Sequence, residues 1–271
     1  MNKVWLSIIG IGEDGLAGLD QAGRAVVDAA EIFVGGERHL AMLGDDPRPR
    51  LTWDSPLGKT LAKIRGLRGR QVCVLATGDP MSYGIGVTLT AEFGMAQCLV
   101  IPRQSAFSLA CARLGWPLAE VDCLSLHGRP LGLLNGHLRP NARLLILSGD
   151  GDTPKQVARI LTAAGYGESG ITVLEHMGGA REKRHAGLAK SWRRKVKDLN
   201  TIALHCVADR DTPRLMRPAG LPDDLFRHDG QLTKREVRAV TLAALAPAPG
   251  ETLWDVGAGA GSIAIEFLRA E

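Results

Sequence analysis

The chain has 271 residues, 45% of them hydrophobic and only 4% aromatic, with 33 Lys and Arg against 29 Asp and Glu for a formal charge of +4. That length supports two domains and a sizeable core built from Leu, Val, Ile and Ala. So mild a charge permits an acidic ligand without demanding nucleic acid, and no apolar run reaches transmembrane length.

In chain order, short β-like runs alternate with amphipathic stretches. The opening run Val4–Ile9 is followed by Glu13 and Asp14, so it reads as a first strand rather than a signal peptide. Strands are predicted at 4–9, 31–35, 71–76, 97–101, 122–126, 142–148, 171–176, 201–207 and 252–256. Leu16, Leu19, Ala22, Val26, Val27 and Ala30 recur at helical spacing. Asp152-Thr153-Pro154 supplies an N-cap and a first-turn proline for a helix over 153–164. Alternation of this kind implies an α/β fold with mainly parallel strands, whose sites belong in the loops at the strands' carboxyl ends.

Residues 208–232 hold three prolines and many charges without periodicity, and read as a linker. Thr233-Lys234-Arg235-Glu236 then predicts a capping box opening a helix to about Ala246. The strand at 252–256 runs into Gly257-Ala258-Gly259-Ala260-Gly261-Ser262, and a helix begins. A strand, a turn and one helix do not bury an α/β sheet. Residues 233–271 are therefore expected to be the truncated beginning of a second domain, docked on the first or loose.

Cys73, Cys98, Cys111, Cys123 and Cys206 are scattered without a C-x-x-C pair, and read as reduced thiols of a cytoplasmic protein. His176, His205 and His228 lack metal-ligand spacing, so no metal site is expected. The basic stretch 181–197 suits RNA phosphates or a polycarboxylate, but a solvated face is the preferred reading. Asp150 and Asp152 read as turn and capping residues, and Cys206 as core.

Three loops invite chemistry. Gly10-Ile11-Gly12-Glu13-Asp14-Gly15 follows a strand and matches the dinucleotide pattern, but Glu13 and Asp14 would face the pyrophosphate with carboxylates. A tight strand-to-helix turn, or a turn lining a cleft for a ligand other than phosphate, competes with that reading. In Thr77-Gly78-Asp79-Pro80, the Asp79 carboxylate could accept from an amine or ribose hydroxyls, with a plain Asp-Pro turn as the equal alternative. The loop at 257–262 resembles the first motif of Rossmann-like methyltransferases, without the acidic residue expected after the next strand.

Taken together, the first loop, Thr77–Gly84, Pro102–Phe107, Ser125-Leu126-His127-Gly128-Arg129-Pro130 and Leu174–Glu182 resemble the tetrapyrrole methylases in order and spacing. The resemblance covers essentially the whole chain. It implies two α/β lobes, about 1–102 and 103–207, with S-adenosylmethionine (SAM) in the cleft between them, usually as a cytoplasmic homodimer. It further implies a linker at 208–232 and an incomplete Rossmann-like methyltransferase start at 233–271. The Ser125–Pro130 segment and the first loop look like C5-methylating members. The last segment looks like the start of a partner domain that methylates C15 and decarboxylates.

By this resemblance Thr77, Gly78, Asp79 and Ser82 hold SAM from one side, and Ser105 and Ala106 from the next strand–helix turn. Ser148, Gly149, Met177 and Gly178 close around its methionine and adenine moieties. Gly12, Glu13, Tyr83, His127 and Arg129 face a small-molecule tetrapyrrole, Arg129 pairing a macrocycle carboxylate; a capped turn is the competing role for His127. Many family members carry G-x-G-P-G-D in the first loop; Glu13 replaces that proline here, so its contacts do not carry over. The implied reaction is methylation of a precorrin at the C5 meso carbon in cobalamin biosynthesis, yielding S-adenosylhomocysteine (SAH). It requires alignment and water exclusion, with no metal and no identified catalytic base. Two alternatives remain: the same fold acting on RNA or protein, and a non-catalytic SAM-binding half.

Overall fold

Leu6–Ile11 is apolar on both faces and wholly buried, as a strand covered by helices on either side must be. This strand, β1, lies inside a five-stranded parallel sheet with β2 (Ile32–Gly35), β3 (Arg50–Thr52), β4 (Val72–Thr77) and β5 (Cys98–Ile101), in the order β3-β2-β4-β1-β5. The computed structural model describes residues 4–212, 219–248 and 250–270. Alternate residues of β1 and β4 feed two cores. Leu6, Ile8, Val72 and Val74 meet Ile64 of α3 (Gly58–Arg65) and Leu89 and Phe93 of α4 (Ile85–Phe93). Ile9, Ile11, Cys73 and Leu75 meet Val27 of α1 (Gln21–Ala29) and Leu40 of α2 (Glu37–Ala41).

The first sheet bears out the expectation of mainly parallel strands, whereas the second is mixed. Its order is β6 (Asp122–Ser125), β7 (Arg143–Leu147), β10 (Asn200–His205), β8 (Gly170–Glu175), β9 (Lys183–Leu188). Only β6 and β7 are parallel; β10 runs antiparallel to both β7 and β8, and β9 returns antiparallel along β8. Inserting β10 between β7 and β8 puts its amino end beside their carboxyl ends. Leu145, Leu174 and Ala203 pack on Phe107, Ala110 and Cys111 of α5 (Ala106–Leu114). The opposite face packs on Val157, Ala158 and Leu161 of α6 (Thr153–Ala163). All five cysteines are free, and Cys206 is buried in that second core.

Four local expectations are corrected. Helix α6 begins where expected, but Asp152 makes no side-chain cap. Asp150 does that work, its Oδ1 accepting from the Thr153 amide at 2.8 Å and the Thr153 hydroxyl at 2.9 Å. The first periodic stretch forms a short 3-10 turn, Gly15–Gly18, before α1 starts at Gln21. Helix α7 (Arg235–Leu245) begins at an N-cap Lys234 without side-chain capping, so Thr233 and Glu236 form no capping box. Residues 252–256 form no strand: they have no ladder partner among the described residues, and Trp254 and Val256 are 85% and 92% exposed. The following helix, α8 (Ser262–Ala270), packs on α7. Of the expected linker, residues 213–218 lie outside the described residues.

Candidate active site

The carboxyl ends of the parallel strands in the first sheet and one edge of the second face a common cleft of about 720 Å³, a volume suited to a drug-sized ligand. The first sheet contributes Gly12 and Glu13 after β1, Thr77, Gly78, Asp79, Ser82 and Tyr83 after β4, and Ser105 and Ala106 after β5. The second contributes His127 and Arg129 after β6, Ser148 and Gly149 after β7, and Met177 after β8. Thus all the residues expected at the site line one cavity, except Gly178. That residue sits just outside, its N–H donating to Glu182 Oε2 at 2.7 Å.

Backbone hydrogen bonds interlock the loops that follow β1, β4 and β5. The Gly78 amide donates to Ile11 O, and the Arg103 amide donates to Gly78 O, both at 3.0 Å. Gly78 has φ +56°, and a Cβ there would stand 2.9 Å from Gln104 O, so glycine is required at this close approach. Asp79 Oδ1 accepts from the Met81 amide at 2.9 Å, and among the described residues its other oxygen has no hydrogen-bond partner. That oxygen is an acceptor suited to a ribose diol or an ammonium group.

Other expected residues are already engaged. Ser105 Oγ caps α5, accepting from the Ser108 amide at 3.1 Å. Ser148 Oγ donates to Asn200 Oδ1 at 2.6 Å, and Asn200 Nδ2 reaches Lys197 O at 2.8 Å. Ser105 is thus engaged in a helix cap and Ser148 in a buried hydrogen bond with Asn200. Tyr83, at φ +55°, donates its hydroxyl to Cys123 O across the lobes at 2.9 Å, and Arg129 lies 5.1 Å over its ring. This is a polar latch between lobes rather than a free substrate contact.

Sequence reasoning missed Arg38, His39, His176 and Asn200. Glu13 accepts from Arg38 and, at 2.7 Å, from His176 Nδ1. Burial pushes the Glu13 carboxyl up, but the His176 hydrogen bond and the Arg38 charge outweigh it and hold the group below the ordinary carboxylate range. Arg38 Nη2 lies 2.8 Å from His39 Nε2, and both reach Thr77 Oγ1. An arginine only donates, so His39 Nε2 accepts and its proton sits on Nδ1. The signals available were an acidic pair in a loop that matches a phosphate-binding pattern, and Asn200 heading the strand Asn200–His205.

Burial, reinforced by the Arg38 charge and partly opposed by Glu13, pulls the His39 imidazole from 6.5 down to about 4. The folded state then resists protonation, so this stability is fully present above 6.5 and is lost as pH falls through about 4. The loss should be about 3 kcal/mol at most. His39→Gln, whose amide oxygen can replace Nε2 as acceptor, should flatten that part of the melting-temperature profile. An unchanged profile in the variant would contradict it.

The geometry argues against a dinucleotide at the first loop. No α-helix opens at Gly15, and Glu13 points into its hydrogen bond with His176 across the cleft. Among the described residues no three His, Cys, Asp or Glu converge as a metal site, and no helix is long and apolar enough to cross a membrane. The basic edge strand β9 is mostly exposed, as expected of a solvated face.

Comparison with known proteins adds the following. Residues 6–191 match the family described as tetrapyrrole (corrin/porphyrin) methylases, and residues 224–271 match a precorrin methyltransferase domain. A precorrin-6Y C(5,15)-methyltransferase [decarboxylating] of Sinorhizobium sp is 45% identical over 98% of this chain and 65% of its own length. The chain thus spans just under two thirds of that relative. A cobalt-precorrin-7 C(5)-methyltransferase of Salmonella typhimurium is 31% identical over 66% of this chain and 89% of its own length. The crystal structure of a cobalamin biosynthesis precorrin-6Y methylase from Archaeoglobus fulgidus superposes with a TM-score of 0.58 at 26% identity, covering 74% of this chain and 97% of that one.

Proposed function

Because the chain belongs to the tetrapyrrole methylases, we propose that its cleft transfers a methyl group from SAM to the C5 meso carbon of a precorrin in cobalamin biosynthesis. Residues 224–271 match a precorrin methyltransferase domain, and a complete domain of that kind would add C15 methylation and decarboxylation. One observation carries the reading most: a C5-methyltransferase matches this chain over 89% of its own length, and its match spans only 180 residues. That length, with the family match over residues 6–191, supports a site built within two lobes, which we assign to 1–102 and 103–207, before a linker at 208–232.

The cleft fits SAM on its own chemistry. The unpartnered Asp79 oxygen suits the ribose or the ammonium group, Gly78 and Gly149 allow close backbone approach, and Phe107, Leu109, Leu147 and Met177 give apolar walls. When bound, SAM supplies an already activated sulfonium methyl. The chain's task is to align an electron-rich carbon with it and exclude water. Arg129 stands at the cleft where a macrocycle carboxylate can pair with it. A homodimer in the cytoplasm completes this reading.

The test is incubation of the chain with SAM and a metal-free precorrin bearing hydrogen at C5, followed by mass spectrometry. The expected product carries one added methyl group. No transfer by a chain that binds SAH would favour a non-catalytic half that needs the further domain. Asp79→Ala should weaken SAH binding by about tenfold or more, the loss of one hydrogen bond to a charged group. Unchanged affinity would remove Asp79 from the site.

A further inference from the structure

Glu13 and His176 belong to different lobes, 163 residues apart, yet their side chains meet at 2.7 Å inside the cleft. They are only 9% and 12% exposed. Arg38 holds the other Glu13 oxygen, and Arg181 stands 3.6 Å from the first. A carboxylate only accepts, so the shared proton sits on His176 Nδ1, and in the neutral ring Nε2 is the acceptor. Among the described residues the ring makes no other hydrogen bond, and His176 lines the cavity. The backbone at His176 is left-handed, φ +48°, a conformation that costs a non-glycine residue of order 1–2 kcal/mol. It is fixed there by the His176 amide on Leu199 O and the Gly179 amide on His176 O, both at 3.1 Å. A carboxylate that orients an imidazole lining a substrate cavity, with the second ring nitrogen unpartnered among the described residues, is the arrangement of a general base.

We propose that His176, oriented by Glu13, takes the proton from the substrate carbon as it is methylated. The assignment rests on the C-methylation reading above. The attacking carbon is the end carbon of an enamine and carries one hydrogen. Its π pair forms the new carbon–carbon bond while the sulfur–methyl bond breaks and its pair stays on sulfur. The positive charge thereby passes from sulfur to the substrate nitrogen. Nε2 then takes the hydrogen, the C–H pair restores the carbon–carbon double bond, and the nitrogen is neutral again. The imidazolium so formed lies against the Glu13 carboxylate and later returns its proton to water. Glu13 is a positioning residue in this scheme and Arg38 anchors it.

The test uses the full chain, SAM, and a metal-free precorrin carrying hydrogen or deuterium at C5. His176→Ala should lower turnover by about 100-fold or more, the usual range for a lost general base, while SAH affinity measured by calorimetry is unchanged. Proton removal should become rate-limiting in the variant, so an isotope effect weak or absent in the unaltered chain should emerge. Added imidazole should restore part of the rate. Glu13→Gln, which keeps an acceptor but not the charge, should lose less and show the same isotope effect. If the unaltered chain methylates and His176→Ala matches it, the base assignment falls alone. Loss of turnover with neither isotope effect nor imidazole rescue also overturns it. If the unaltered chain transfers no methyl group, the methylation reading itself fails.

Discussion

Gly10→Ala should abolish SAH binding and lower the melting temperature of the chain. A Cβ built at Gly10 stands 1.8 Å from Gly78 O and 2.7 Å from Arg103 N. Both are backbone atoms, and they are joined to each other by the hydrogen bond that ties the β4 loop to the β5 loop. No side chain can swing aside to relieve this contact. The methyl group must push apart the turn that carries Asp79 from the turn that carries Ser105. Overpacking a core costs typically 1–3 kcal/mol, and here the displacement falls on the loops that would hold the ligand. Calorimetry and a thermal melt of the variant check both halves. Retained SAH affinity would show that these loops do not form the binding wall.

Arg238→Met should unfold the segment around α7 and α8 while leaving the two lobes intact. Arg238 is 0% exposed. Its Nε donates to Glu266 at 2.9 Å, its Nη1 to Asp223 at 2.6 Å, and further donors reach the Leu221 and Thr233 carbonyls. Its guanidinium also lies 4.5 Å over the Phe226 ring. Glu266 in turn accepts from the Gly220 and Leu221 amides at 2.6 and 3.1 Å. One arginine thus takes the central place that apolar side chains fill in each lobe. Removing one partner of a buried pair leaves an uncompensated charge and costs about 3–5 kcal/mol. Hydrogen exchange should rise in residues 220–245 and 262–270 and stay unchanged in β1 and β10. Unchanged protection in α7 would contradict the role given to Arg238.

Strands buried on both faces were legible because each carries a short run of mainly apolar residues: β1, β4, β7 and β10 lie within two residues of their expected bounds. β9 was not, because Lys183-Arg184-His185-Ala186-Gly187-Leu188 lies at an exposed edge. Its extended state comes from pairing with β8, and not from apolar alternation. The reverse error occurred at 252–256, where Thr-Leu-Trp-Asp-Val has strand composition but no ladder partner among the described residues. β-propensity describes fitness for a pleated, half-buried surface and does not supply one. The cleft was legible because ligands gather at strand carboxyl ends, and those loops carry recognisable glycine and proline signals. The Glu13–His176 contact was not, since nothing local to either residue announces a partner in the other lobe.

The most direct test of the account is calorimetric titration of this chain with SAH. A single saturable site per chain, weakened by Asp79→Ala and lost in Gly10→Ala, is the predicted result. Absence of binding to the folded chain, with or without a precorrin present, would contradict the claim that this cleft is a methyl-donor site.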